Sequence, residues 1–260
     1  MLINLLWTGG LDSTFRLVEL AQQEIAIQPY YIVDAGRKSY IYEKKAMENI
    51  LQLLRKKSLT KAEIRDVVFV QDKSIGENKE ITMAWRNLHN FNKLGSQYDI
   101  LSRFAFQNNL KLEVGLENSD RSKATVVLKK FGSLILKSYI SESNPNISSW
   151  NTRYEINRDK ALPDVINIFQ NLRFPSHLFN IEKVEEAELL KKWGCEDILK
   201  ATWFCHNPIF GYPCGNCNPC KDAINEGMAW RVPLKGRILG SIRKPVMGVI
   251  GRATNLLHIK

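Results

Sequence analysis

The chain has 260 residues, 44% of them hydrophobic, and a formal net charge of +10. That length and apolar content fill the core of one large domain, while no apolar run reaches membrane-spanning length, so no membrane is expected. The positive balance implies anionic partners.

Residues 2–7 form an apolar run that breaks into Thr8, Gly9, Gly10, Leu11, Asp12, Ser13 and Thr14. The pattern predicts a strand, a tight turn and a helix over 13–23. A polyphosphate needs converging backbone N–H groups, no Cβ in the way and a helix N-terminus aimed at it. Gly9 and Gly10 let the backbone turn closely, and the hydroxyls of Thr8, Ser13 and Thr14 add donors. Asp12 is then suited to hold the Mg²⁺ that accompanies ATP. The plainer alternative is a strand–turn–helix joint capped by Asp12 or Ser13. Strands follow over 28–33, 66–70 and 111–116, with helices over 40–57 and 96–108, the first of these carrying Ile41, Met47, Ile50, Leu51 and Leu54 near helical spacing. This alternation predicts an α/β fold with a doubly wound parallel sheet. Ligands in such sheets bind beyond the carboxyl ends of the strands, where Thr8–Thr14, Asp34–Arg37 and Glu117–Arg121 all fall. Asp34 and Gly36, after the second strand, are the expected adenine-side residues.

Residues 71–95 read as a polar connection containing Trp85, Arg86 and His89, either a lid or a solvated excursion. Residues 138–160 are loop-like, and Asn146 opens a glycosylation sequon of no consequence in a cytoplasmic chain. Two helices are expected between 163 and 193, with the acidic run 182–188 as a solvated face. Cys205, Cys214, Cys217 and Cys220 are spaced as a closed structural Zn²⁺ knuckle. No cleavable signal is expected, so the reducing cytoplasm disfavours disulfides, and an iron–sulfur cluster is the remaining alternative. Cys195 reads as a small buried hydrophobe, and His206 adjoins Cys205 but is not needed as a ligand because four cysteines already fill the shell. From 228 to 260 the chain carries seven lysines and arginines and no acidic residue. Domain boundaries are set at 1–228 and at a basic extension, 229–260, that either frays or docks an acidic protein or nucleic acid; its prolines and glycines argue against a long helix.

The two end motifs together resemble the 7-cyano-7-deazaguanine synthase family of the PP-loop ATP pyrophosphatase superfamily, whose fold is that of the adenine nucleotide alpha hydrolases. Its phosphate loop, Ser-Gly-Gly-x-Asp-Ser, is matched by Thr8 to Ser13 with threonine for the first serine. Its C-terminal pattern is matched by Trp203, Cys205, Cys214, Gly215, Cys217 and Cys220, so the resemblance spans roughly residues 2–228. It implies that Asp12 and Ser13 are catalytic, that ATP and Mg²⁺ are used, and that the carboxylate of 7-carboxy-7-deazaguanine is adenylated, ammonia giving the amide and then the nitrile. By position, the substrate residues are Gly95, Gln97, Glu117, Asp120, Arg121 and Trp203. A homodimer is expected.

Between the ends the match departs. Asp34 and Gly36 keep the acid and glycine of the family's Asp-Tyr-Gly segment but not its tyrosine or nearby histidine; Leu94–Tyr98 keeps only a glycine of Pro-Gly-Arg-Asn; Gly115–Arg121 replaces a segment rich in Asp, Tyr and Pro. A diverged paralogue is therefore expected. Relatives of that kind occur beside bacterial antiviral genes, and the alternative acceptor is a protein amine. A tRNA-thiolating PP-loop enzyme is disfavoured because all five cysteines lie between 195 and 220. A non-catalytic nucleotide-binding module is the remaining reading.

Overall fold

A computed structural model describes residues 1–34, 36–119, 121–140 and 149–242. The chain opens with β1 (Leu2–Leu6), α1 (Leu11–Ala21), β2 (Ala26–Val33) and α2 (Tyr40–Arg55), then β3 (Glu63–Ile64) and β4 (Val68–Gln71). Two helices, α3 (Lys79–Asn92) and α4 (Gln97–Gln107), lead to β5 (Leu112–Glu113), α5 (Lys123–Phe131) and β6 (Leu134–Ser138). The remainder is β7 (Thr152–Ile156), α6 (Pro163–Phe169), β8 (Leu172–Pro175), α7 (Ser176–Asn180), α8 (Lys183–Lys192), α9 (Glu196–Ala201) and α10 (Asn218–Asn225). Residues 234–242 are helical as well.

The strands join in the order β3-β2-β1-β5-β8-β7-β6, with β4 also on β2. β1, β2, β3, β4, β5 and β8 pair in parallel, whereas β7 pairs antiparallel with both β8 and β6. The expected parallel sheet is thus the larger part of a mixed one. Alternation along β2 explains why it is covered twice: Ile27, Tyr31 and Val33 enter one core with α1, α2, α8 and α9, while Tyr30 and Ile32 meet the other with α3, α4 and α6. Chain order turns back at β1, which lies between β2 and β5. A crevice opens at such a reversal, beyond the carboxyl ends of the strands.

Four expectations are corrected. Within 71–95 lies α3, capped by the Asn78 side chain, which accepts from Ile81 N at 3.0 Å; its Ile81, Ala84, Trp85 and Leu88 repeat at helical spacing against α4 and α6. Between 163 and 193 the chain forms β8 as well as helices, because Leu172, Phe174 and Pro175 are buried beside β5. The acidic run is not wholly solvated: Glu182, Glu185 and Glu188 are exposed, but Glu186 is fully buried. The loop expected over 138–160 contains β7, and 141–148, with the sequon, lie outside the described residues. Among the described residues no helix is long and apolar enough to cross a membrane.

A buried ion network ties α1 to the sheet. Arg16, with no exposed surface, grips Glu113 of β5 with two bonds of 2.8 and 2.9 Å, Glu19 at 2.6 Å and the Trp150 carbonyl at 3.0 Å. His177 and Ser149 complete Glu19 at 2.6 and 3.0 Å, and the Tyr139 hydroxyl completes Glu113. Burial raises the Tyr139 phenol, and the Glu113 charge raises it further, so it remains a donor. Replacing Arg16 with methionine leaves two buried carboxylates without their cation. We expect urea unfolding to show a loss of about 3–5 kcal/mol; a loss under about 1 kcal/mol would mean that the network is slack.

Candidate functional site

The β1–α1 turn sits at the reversal. Gly9 has φ +69°, and a Cβ there would lie 3.1 Å from Met47 Cγ and 3.2 Å from the Glu43 carbonyl, so both conformation and space require glycine. Gly10 precedes the helix, which starts at Leu11, two residues before the expected start. Ser13 Oγ accepts from Thr8 N at 3.3 Å and lies 3.3 Å from the Thr8 hydroxyl, folding the turn on itself. Thr14 faces the other way: it is fully buried and its hydroxyl accepts from the Trp7 indole at 3.0 Å, so it is not a phosphate donor.

A cavity of about 560 Å³ opens over this turn. Thr8, Gly10, Leu11, Asp12 and Ser13 line it, as do Asp34, Gln97 and Glu117, which the sequence places there. Gly9, Gly36 and Gly95 act from outside the lining: Gly9 shapes the turn, the Gly36 amide donates to Asp34 Oδ1 at 2.9 Å, and the Gly95 carbonyl receives the Trp85 indole. Arg121 is exposed and paired with Asp222 at 2.9 Å, outside the cavity lining. Asp120 lies outside the described residues. Trp203 is not in the lining either; it holds the turn from behind, as described below. Arg37, the last residue of the 34–37 segment expected on the ligand side, is in the lining, as are Tyr98 and His206, which sequence reading does not assign to the site. The signal for Arg37 is its place three residues past the strand-end acid Asp34, on the ligand side of a parallel sheet.

Behind Asp12 lies a charge cluster. Lys183 Nζ stands 2.8 Å from Glu117 and 3.8 Å from Asp12. Burial pulls the ammonium's affinity for its proton down, but the Asp12 and Glu117 charges outweigh this and leave Lys183 above the ordinary lysine value. Burial, then the Asp12 charge, raises the Glu117 carboxyl. Asp12 Oδ1 and both Glu186 oxygens are buried without a hydrogen-bond partner. Arg231 enters from beyond the cysteines, donates to the Thr202 hydroxyl at 2.6 Å and covers the Phe204 ring at 4.3 Å. Burial lowers its pKa to about 10.

The four sulfurs of Cys205, Cys214, Cys217 and Cys220 lie within 4.8 Å of one another. Tetrahedral ligation at about 2.3 Å puts thiolates about 3.8 Å apart, and Cys217 Sγ to Cys205 Sγ is 3.8 Å. The set is positioned to hold one metal ion such as zinc; a cubane cluster spreads its thiolates wider. Backbone amides of Cys214, Asn216 and Cys217 donate to Cys205 and Cys214 sulfurs at 3.2, 3.4 and 3.3 Å, orienting the ligands before metal arrives. All five cysteines are free thiols, Cys195 is buried apart from the cluster, and His206 faces the cavity, not the metal.

The knuckle reaches the turn through Trp203. Its backbone N–H donates to the Gly9 carbonyl at 2.9 Å, its indole donates to the Cys205 carbonyl at 2.9 Å, and its ring stacks on Tyr42 at 4.8 Å. On the other side the 234–242 helix lies directly on the knuckle backbone: a Cβ on Gly236 would meet the Pro213 carbonyl at 2.0 Å and one on Gly240 the Cys214 carbonyl at 1.9 Å. The first part of the expected extension is therefore packed, and helical across both glycines; 243–260 lie outside the described residues.

Comparison of the chain with protein-family models finds no match, and comparison with curated proteins finds none either.

Burial raises the Glu186 carboxyl well above its ordinary value, with the Asp12 charge adding to the effect. The folded state therefore binds this proton more tightly than the unfolded chain, and stability falls as pH climbs from the ordinary carboxyl range toward the raised value. We expect Glu186→Gln to remove that part of the fall, so that its advantage over the parent in thermal unfolding widens from pH 5 to pH 8. Parallel curves would show that Glu186 is ionised in both states.

Proposed function

We propose that the chain is an ATP-dependent carbon–nitrogen ligase of the 7-cyano-7-deazaguanine synthase kind, one that adenylates the carboxylate of 7-carboxy-7-deazaguanine or a close analogue. The observation that carries the reading is the glycine turn at the sheet reversal, with Asp12 Oδ1 buried and unpaired above a cavity of about 560 Å³. The proposal takes the metal at the four cysteines as structural Zn²⁺, since four thiolates leave no open position for water.

A carboxylate resists amines at neutral pH. Its attack on the α-phosphorus of ATP forms an acyl–adenylate and releases pyrophosphate, and an amine then displaces AMP. In this account the amides at Gly10 and Leu11 and the Ser13 hydroxyl receive the departing phosphates, aided by the N-terminus of α1. Asp12, whose buried Oδ1 has no hydrogen-bond partner and only Lys183 Nζ at 3.8 Å as a nearby cation, would hold Mg²⁺, which would supply charge neutralisation at the phosphates. Lys183 keeps Asp12 and Glu117 from repelling the incoming anion. Arg37 and His206 give the far wall cationic and hydrogen-bonding character. No side chain has to become a covalent nucleophile; the contribution is positioning.

A second reading changes the acceptor to a protein amine. It is favoured because Asp34, Gln97 and Glu117, which line the cavity, belong to the three segments that depart from the family's pattern. Thiolation is disfavoured, since among the described residues no cysteine lines the cavity.

Incubation with ATP, Mg²⁺ and 7-carboxy-7-deazaguanine, with and without ammonia, tests the reading by mass spectrometry. We expect AMP formation, with amide or nitrile if ammonia is the acceptor and a trapped adenylate if it is not. Asp12→Ala should lower AMP formation by about 100-fold or more while leaving the metal content unchanged. Full activity in that variant would sink the proposal, and nucleotide binding without AMP would indicate a non-catalytic module.

A further inference from the structure

On the face carrying α3 and α4, a groove of about 670 Å³ runs beside the cavity just described. Its cations fall into two groups. Arg103 is spent internally: it pairs with Asp99 at 3.0 Å and donates to the Ile75 and Gly76 carbonyls at 3.2 and 2.9 Å, and Thr82 donates to the other Asp99 oxygen at 2.8 Å. Lys73, Lys79 and Arg86 are exposed, and among the described residues none has a carboxylate within ion-pair distance. Glu77 is the one further acid in the lining, so the groove presents an excess of positive charge. The α3 N-terminus opens into it, its Asn78 cap satisfying only Ile81 N, which adds the positive end of a fourteen-residue helix.

We propose that this groove docks an acidic polypeptide segment of a partner protein. Charge complementarity selects an anionic chain, and the remaining lining selects its kind. No aromatic residue lines the groove, so nucleic-acid bases find no stacking platform. Met83, 55% exposed, offers an adaptable apolar contact for a side chain, and Asn78 and Thr82 lie beside it. The position has a consequence for the site. Asp72 lines the cavity and Lys73 the groove; α4 gives Gln97 and Tyr98 to the cavity and Asp99 and Arg103 to the groove. A segment held here therefore ends at the cavity mouth. The inference stands on the groove alone and does not require the adenylation reading.

Fluorescence anisotropy with a labelled decaglutamate peptide tests it on the full chain at low and high salt. We expect binding that weakens with salt and falls about tenfold or more in Lys73→Glu/Lys79→Glu/Arg86→Glu. A control with the same charge change on the opposite face, Lys56→Glu/Lys191→Glu/Lys192→Glu, should bind as the parent does. Equal losses in both variants would reduce the effect to net charge and overturn the proposal, as would no binding by the parent. A labelled decauridylate that binds as tightly through the same three residues would overturn it in favour of nucleic acid. All six substituted side chains are at the surface, and circular dichroism confirms that each variant is folded.

Discussion

A backbone hydrogen bond, from Trp203 N–H to the Gly9 carbonyl at 2.9 Å, ties the glycine turn to the cysteine knuckle. Gly9 has φ +69° and no room for a side chain, so its own residue contributes conformational freedom and nothing to hold it. The Thr8–Ser13 contacts fold the turn on itself, and further restraint comes from outside it. Tyr42 stacks on Trp203 from α2, and the Trp203 indole is fastened to the Cys205 carbonyl, whose residue belongs to the four-sulfur cluster. The 234–242 helix bears on the opposite side of that cluster through Gly236 and Gly240. A metal ion held at the cysteines would therefore act mechanically on the cavity although the cysteines are not in its lining, and His206, next to Cys205, is brought into the lining by the same strut.

Charge is distributed in two buried sets with different degrees of completion. Around Arg16 every member has a partner, and the network fastens α1 to β5, so the helix that begins at the glycine turn cannot slide. Around Asp12 the set is incomplete, with unpaired oxygens on Asp12, Glu186 and Glu226 beside Lys183 and Arg231. Buried polar groups are ordinarily satisfied. Incomplete pairing of carboxylates beside the cavity leaves charge there for a cation or ligand to satisfy, and the complete set behind it supplies rigidity.

Much of this architecture was legible from residues alone. Long apolar strands such as β1 and β2 and the glycine pair between β1 and α1 announce themselves, and four cysteines can be assigned to one cluster from spacing. Short elements could not be read so. β3 has two residues and β8 four, too few for a period, and both owe their conformation to neighbouring strands. α3 was hidden because its apolar stripe is narrow among polar residues, although Asn78 was a usable cap signal. Glu186 and Thr14 were misplaced for a common reason: residue type suggested solvent or ligand, and packing turned both inward. Arg121 likewise carried the right chemistry on the right loop, but Asp222 drew it away.

The central claim, that the metal knuckle holds the phosphate-side turn in place, is tested most directly by amide hydrogen exchange of residues 8–14 in the metal-loaded and chelator-treated protein. The account predicts faster exchange at these amides and at Trp203 once metal is removed, with α3 and α4 unaffected. Equal exchange over residues 8–14 in both states would contradict it and leave the turn supported without help from the metal.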